Sequence, residues 1–254
     1  MDLGLKGKVA LVTGCGSQIG FGKEIALLLA KEGCDAVAVT DIIDDVNKTA
    51  DALKKLGKKS IAVKGDITKK ADVQALFKKV MDEYGRIDIL CNVAGGIANR
   101  AKYDEAGPDD WDKDFHLNVT SILLTTQAAL PIMRSQKSGS IVNIGSGSTR
   151  MYAHGVGNTY AMAKASVDTL TKQTAFNEAK NGIRCNCVAP GPAPTNFIPG
   201  PDKEKMVSFM AQTIPMGRGA KQSDIANATV FFASEMSSYV TGAVLHVSGG
   251  SVLD

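Results

Sequence analysis

Residues Val9-Ala-Leu-Val-Thr-Gly14-Cys-Gly-Ser-Gln-Ile-Gly20-Phe-Gly22 decide the fold class of this 254-residue chain. An apolar run ends on a threonine-glycine pair, a glycine-studded loop follows, and a helical pattern starts at Lys23-Glu-Ile-Ala-Leu-Leu-Leu-Ala. Strand, glycine turn and helix in that order aim backbone N–H groups and a helix N-terminus at one spot, which is how a pyrophosphate is held. The spacing is not the simple Gly-x-Gly-x-x-Gly, because Ile19 and not glycine stands three residues past Gly16. Glycine also serves ordinary turns, so the loop alone is unspecific and its surroundings must support it. Within the loop, Gly14, Ser17, Ile19, Gly20 and Phe21 are the candidates for binding the nucleotide, and the pattern leaves open which amides of Cys15–Ile19 touch phosphate.

The surroundings agree. The helix after the loop carries Ile25, Ala26, Leu28 and Leu29 at helical spacing and stops at Gly33. The next apolar run, 36–40, ends on Asp41. An acidic residue about 20 positions past a glycine loop, at the end of the second strand, is the ribose-binding element of dinucleotide folds. Its carboxylate accepts hydrogen bonds from the adenosine 2′- and 3′-hydroxyls and repels a 2′-phosphate. With no arginine or lysine in the loop or directly after Asp41, the pairing predicts NAD over NADP.

One unit repeats along the chain. Strands are predicted near 8–13, 36–40, 60–64, 87–91, 139–144, 184–188 and 244–247. Helices are predicted near 21–33, 44–56, 70–84, 109–134, 158–181, 202–213 and 222–234. Such alternation predicts an α/β protein, a Rossmann-type, doubly wound parallel sheet of about seven strands with helices on both faces. Short apolar strands without polar alternation fit burial on both sides. Nothing divides the chain, so 1–254 reads as a single dinucleotide-binding and catalytic domain. The Pro/Gly-rich stretch 190–201 opens a long loop, the expected substrate loop of about 190–215. The composition is that of a soluble globule, 44% hydrophobic and 22% charged. A net charge of +3, with lysines dispersed, is too weak for nucleic acid. No apolar run reaches membrane-spanning length, and the N-terminus lacks a basic-then-apolar signal pattern, so neither membrane nor export is expected. Five cysteines in such a chain read as reduced thiols in the cytoplasm, and Cys185-x-Cys187 reads as core because its spacing suits no zinc site. No metal is expected.

The chemistry lies in the second half. Tyr160-Ala-Met-Ala-Lys164 puts a phenol and an ammonium one turn apart on one helix face. A nearby cation favours an ionised phenol, so Tyr160 is the candidate general acid/base and Lys164 its tuner. The preceding strand, 140–144, ends in Gly145-Ser146-Gly147-Ser148, where a hydroxyl can meet Tyr160 and polarise a substrate oxygen.

With these residues together, the chain resembles the short-chain dehydrogenase/reductase family over essentially its whole length. The marks are Thr13-Gly14 with Gly20-Phe-Gly22, Asp41, Gly65-Asp66-Ile67, Asn92-Val-Ala-Gly95, Asn118, Ser146, Tyr160-x-x-x-Lys164 and Pro190-Gly191 with Thr195. The resemblance implies a catalytic tetrad of Asn118, Ser146, Tyr160 and Lys164, with Asn118 anchoring a relay water and Lys164 also holding the nicotinamide ribose. It implies adenine contacts from Asp66 and Ile67, ribose contacts along Asn92 and Gly95, and a carboxamide site at Pro190–Thr195. It also implies reversible hydride transfer between an alcohol or ketone and the cofactor, in a homotetramer. The expected function is an NAD-dependent oxidoreductase interconverting a secondary alcohol and a ketone. An NADPH-dependent 3-oxoacyl-thioester-type reductase and a non-catalytic NAD-binding scaffold are the alternatives.

The chain departs from the family pattern in four places. The glycine loop is two residues longer if Gly20-Phe-Gly22 closes it, the preferred alignment; otherwise Gln18 replaces a glycine and Gly22 falls inside the helix. Val93 follows Asn92 where a second asparagine is usual. Ser146 lies 14 residues before Tyr160 instead of 13, which keeps Ser148 as a lesser candidate. Ser248 stands where an aspartate is usual. The substrate lining expected from Gly96-Ile-Ala, Ser148–Gly157 (with Met151, Tyr152 and His154) and Asn196–Met210 is apolar with few polar groups, and many alcohols fit it.

Overall fold

Every residue of Val9–Thr13 (β1) is buried, which requires cover on both faces of the strand. A computed structural model of the chain, describing residues 2–98, 100–102, 104–151, 158–198 and 200–253, shows how that cover is built. The element order is β1, α1 (Phe21–Lys31), β2 (Ala36–Asp41), α2 (Val46–Lys55), β3 (Lys59–Lys64), α3 (Lys70–Tyr84) and β4 (Ile89–Asn92). Then follow α4 (Pro108–Phe115), α5 (Ser121–Gln136), β5 (Gly139–Ile144), α6 (Asn158–Glu178), β6 (Ile183–Pro190), α7 (Lys203–Ala211), α8 (Gln222–Ala233) and β7 (Val244–Val247).

The strands form one parallel sheet in the order β3-β2-β1-β4-β5-β6-β7. Ile25 and Leu29 of α1, Leu53 of α2 and Ile225 and Phe232 of α8 pack on one face. Val73, Phe77 and Val80 of α3, Met133 of α5 and Ala175 of α6 pack on the other. The chain runs outward from β1 to β3, then returns to place β4 on the other side of β1. This reversal opens a crevice beyond the carboxyl ends of β1 and β4, where ligands bind in such sheets. Thr13 closes its floor, its hydroxyl oxygen accepting the N–H groups of Val93 and Ala94 at 2.9 and 3.0 Å.

The strands lie where the apolar runs placed them. The helix expected over 109–134 differs: it is two helices, α4 and α5, joined by one π-helical turn at His116–Thr120. A π turn leaves a backbone carbonyl without its usual partner. Here Asn118 supplies the substitute, its Nδ2 donating to the carbonyl of Asp114 at 2.9 Å. The cysteines are buried and free, and among the described residues no cluster of metal-ligating side chains forms. Among the same residues no helix is long and apolar enough to cross a membrane.

Candidate active site

The glycine loop is shaped by close approach. Gly14 has a left-handed backbone (φ 70°), and a Cβ there would lie 2.7 Å from the Ala94 nitrogen. Gly22 sits in the first turn of α1, where a Cβ would collide with the Gly14 carbonyl. Gly20 is the N-cap and has no side chain to cap with, so the first-turn N–H groups are left to an external acceptor. Ser17 of the loop lines the crevice, while Cys15 and Gln18 turn away from it. Cys15 is fully buried and its carbonyl accepts from Thr49 of α2 at 2.7 Å. Gln18 turns toward α2 and donates to the Asp45 carbonyl at 3.1 Å.

A cleft of about 670 Å³ lies above the sheet. Of the residues singled out in the sequence, Gly14, Ser17, Gly20, Phe21, Asp41, Asp66, Ile67, Gly95, Ser146, Tyr160, Lys164, Pro190 and Thr195 line it together. Three do not. Ile19 is 44% exposed and its carbonyl accepts from Gln222. Asn92 is buried beneath the floor, donating to Asn143 at 2.9 Å and accepting from Thr125 at 2.7 Å. Asn118 is fully buried one layer back, bonded to both Gly96 N–H (3.0 Å) and Gly96 C=O (2.8 Å). Of the expected substrate lining, Gly96, Ile97, Ser148, Met151, Asn196, Phe197, Ile198 and Met210 face the cleft, whereas Tyr152 and His154 lie outside the described residues.

At the adenosine end the Asp41 carboxylate is fixed by the backbone. Its Oδ2 accepts the Gly16 N–H at 2.7 Å and its Oδ1 the Ile43 N–H at 3.3 Å. Neighbouring lining residues there (Thr40, Ile42, Asp66, Ile67 and Thr68) carry no positive charge. Asp66 accepts from the Thr68 hydroxyl at 2.6 Å, and that bond holds its carboxyl below the ordinary range.

At the other end, Ser146 follows β5 and caps a short turn. Its oxygen accepts the Ser148 N–H (3.1 Å) and O–H (2.8 Å). A hydroxyl that already accepts two bonds has its own proton left to donate. Ser148 thus supports Ser146 from beside it. Tyr160 is nearly fully buried, its ring 5.3 Å from that of Phe197. Lys164 is buried too, donates to the Ile144 carbonyl at 2.8 Å, and sits 5.8 Å from the Tyr160 ring centre.

One expectation is corrected here. Lys164 was to draw the Tyr160 pKa down, yet burial pushes the phenol up to about 12, against a smaller downward pull from the Ser146 hydrogen bond. Burial also brings the Lys164 ammonium down to about 8. Loss of water around a phenolate outweighs a cation whose hydrogen bond is directed to a backbone carbonyl. The protein by itself therefore holds a protonated phenol, a ready acid.

Asp114 was not singled out in the sequence. It is fully buried on α4, and it bonds to Ala98 and to Thr159, the residue before Tyr160. The available signal was a carboxylate four residues before Asn118, on the face that continues through Ser121, Ile122 and Thr125, all buried.

A family model described as enoyl-(acyl carrier protein) reductase matches residues 14–251. A hydroxy(phenyl)methylsuccinyl-CoA dehydrogenase subunit of Thauera aromatica is 38% identical, over 99% of both chains. A 3-oxoacyl-(acyl-carrier-protein) reductase of Thermotoga maritima is 37% identical, over 98% of this chain and 99% of the other. The chain belongs to the short-chain dehydrogenase/reductase family. Among solved structures, a 7α-hydroxysteroid dehydrogenase complexed with NADH and 7-oxo glycochenodeoxycholic acid superposes with a TM-score of 0.90. It is 34% identical, covering 100% of this chain and 97% of that one. As a short-chain dehydrogenase/reductase, the protein is an oxidoreductase acting on CH–OH groups, in a family that uses NAD(P).

Proposed function

We propose that this short-chain dehydrogenase/reductase is an NAD-dependent dehydrogenase that interconverts a secondary alcohol and a ketone. The observation that carries the cofactor choice is Asp41, a carboxylate held in place by two backbone N–H groups at a cleft end whose lining carries no cation. A fixed carboxylate accepts from ribose hydroxyls and repels a 2′-phosphate. The first turn of α1 with Gly14, Ser17, Gly20 and Phe21 would hold the pyrophosphate. Asp66 and Ile67 would flank the adenine, Gly95 and Lys164 the nicotinamide ribose, and Pro190 to Thr195 the carboxamide. Asn92 would act through its backbone, and Ile19 would hold its loop against Gln222.

The bound nicotinamide supplies the hydride acceptor or donor. The chain's own residues handle the proton: Tyr160 exchanges it with the substrate oxygen, and Ser146 donates a hydrogen bond to that oxygen. Lys164 keeps a positive charge beside the phenol, and Asn118 shapes the π turn behind it. The segment 190–215 is the proposed substrate loop, contributing Phe197, Ile198 and Met210 to an apolar wall.

A second reading is an NADPH-dependent reductase of an acyl thioester. It is favoured by the thioester named for the Thauera relative and the acyl-carrier-protein substrate named for the Thermotoga one. A panel of secondary alcohols and 3-oxoacyl thioesters, assayed with each cofactor pair, separates the two. The expected result is NAD reduction with an alcohol at a kcat/KM at least about tenfold above that with NADP. NADPH oxidation by a thioester as the faster reaction overturns the proposal.

We also infer a cytoplasmic homotetramer. Apolar side chains stand exposed on α5 (Leu123, 41%), α6 (Phe176, 87%) and β7 (Leu245, 40%), as expected of surfaces that pair. Light scattering should give four chains per particle, and a monodisperse monomer would refute it.

A further inference from the structure

Asp114 is the one buried residue of α4 and is fully enclosed, although it is a carboxylate. Among the described residues no lysine or arginine pairs with it. Removing a carboxylate from water without a counter-ion is costly, and an apolar side chain of similar volume would fill the site without that cost. What the carboxylate adds is a bond to each of two separate segments, while the backbone of the same residue joins a third. Oδ1 accepts the Ala98 N–H at 2.8 Å, on the loop whose Gly96 and Ile97 line the cleft. Oδ2 accepts the Thr159 hydroxyl at 2.5 Å, one residue before Tyr160. Its peptide carbonyl accepts Asn118 Nδ2 at 2.9 Å, and Asn118 in turn accepts the Gly96 N–H and donates to the Gly96 carbonyl.

We propose that Asp114 is a positioning residue for the alcohol–ketone reaction: it locks the start of α6, and so Tyr160, to the π turn and the 96–98 loop, and sets the electrostatic environment of the phenol. The inference rests on the reading of Tyr160 as the acid/base. Among the described residues, the groups that face the phenol are Asp114 from α4, Ser146 from the end of β5 and Lys164 from its own helix, with the uncharged Phe197 ring from the substrate loop. Behind Lys164 stand Cys187 and Asp168. Of these charges, Asp114 is the anion that raises the proton affinity of Tyr160, after burial itself. The sign follows: without the Asp114 charge the phenol ionises at lower pH.

Two variants test this. Asp114→Asn keeps the shape, with Oδ1 able to accept from Ala98 and Nδ2 able to donate to the Thr159 oxygen, and removes only the charge. Assayed with the fastest alcohol of the panel, its pH profile for NAD reduction is expected to move to lower pH by about half a unit or more. Asp114→Ala loses both side-chain bonds, and its kcat is expected to fall about tenfold or more, while NAD affinity, read by quenching of Trp111 fluorescence or calorimetry, stays within about twofold. A purely structural residue would lower the melting temperature and leave the profile in place. The proposal is overturned if the Asn variant's profile superimposes on that of the wild type, and this measurement decides alone if the Ala variant does not fold. If instead Tyr160→Phe proves fully active, the acid/base reading fails on its own account, independently of Asp114.

Discussion

Replacing Tyr160 by phenylalanine is expected to lower kcat by about 2–4 orders of magnitude, the scale of one general acid/base, or about 3–5 kcal/mol of barrier. The substitution is clean because the ring is buried and packs on Phe197 at 5.3 Å, contacts that phenylalanine keeps. Only the hydroxyl and its bond to Ser146 are lost, so the fold and cofactor affinity should persist. Steady-state rates with the fastest alcohol check it, and turnover near that of the wild type would sink the assignment. The same group sets a pH dependence with a definite sign. A phenol pushed up to about 12 stays protonated through the neutral range, so reduction has its acid, while oxidation needs the phenolate and gains with each step in pH. Lys164, brought down to about 8, is charged below that value and neutral above it. Oxidation should therefore rise steeply from about pH 6 to about pH 8 and less steeply to about pH 10. Reduction should decline above about pH 8, because neutral Lys164 no longer favours the phenolate that each direction passes through. A flat oxidation profile over that range would contradict the environment described.

Asp41→Asn should collapse the cofactor preference. The wild-type carboxylate offers charge-assisted acceptance to ribose hydroxyls, worth about 1.5–3 kcal/mol per bond, and repulsion to a 2′-phosphate. Neutralising it should lower kcat/KM for NAD by about 10–100-fold and raise that for NADP, so the ratio moves by two orders of magnitude or more. The asparagine keeps one acceptor oxygen for the Gly16 or Ile43 N–H, which limits damage to the loop. Parallel initial rates with the two cofactors read the ratio. A preference that survives the substitution would show that discrimination lies elsewhere.

Much of this protein is legible along the chain. The buried strands announce themselves as apolar runs, and the parallel sheet follows from their alternation with helices. The glycine loop, Asp41 and the Tyr160/Lys164 pair are local patterns whose spacing alone predicts their place at the carboxyl edge. Gly22 is a good example, since the glycine spacing marks it as the close of the loop and the Gly14 carbonyl against it in the first turn of α1 is what requires it. Other features depend on neighbours far away in sequence. Asn92 shares a motif with Gly95, yet only the packing of Asn143 and Thr125 shows that its side chain is spent below the floor. Nor does a helical pattern over 109–134 reveal that it is broken by a π turn, because that break is stabilised by one side chain's bond to a carbonyl.

The chain's own pattern thus determined the parallel sheet, the crevice beside β1 and the residue types brought to it, because periodicity and glycine spacing are local properties. Only the tertiary structure decided the proton affinities and the partners of Asp114. Whether a phenol beside a lysine is acid or base depends on how much water is excluded from it, and that is set by Phe197, Asp114 and the walls of the cleft. The bond from Thr159 to Asp114 joins residues 45 apart, and no spacing rule foretells it.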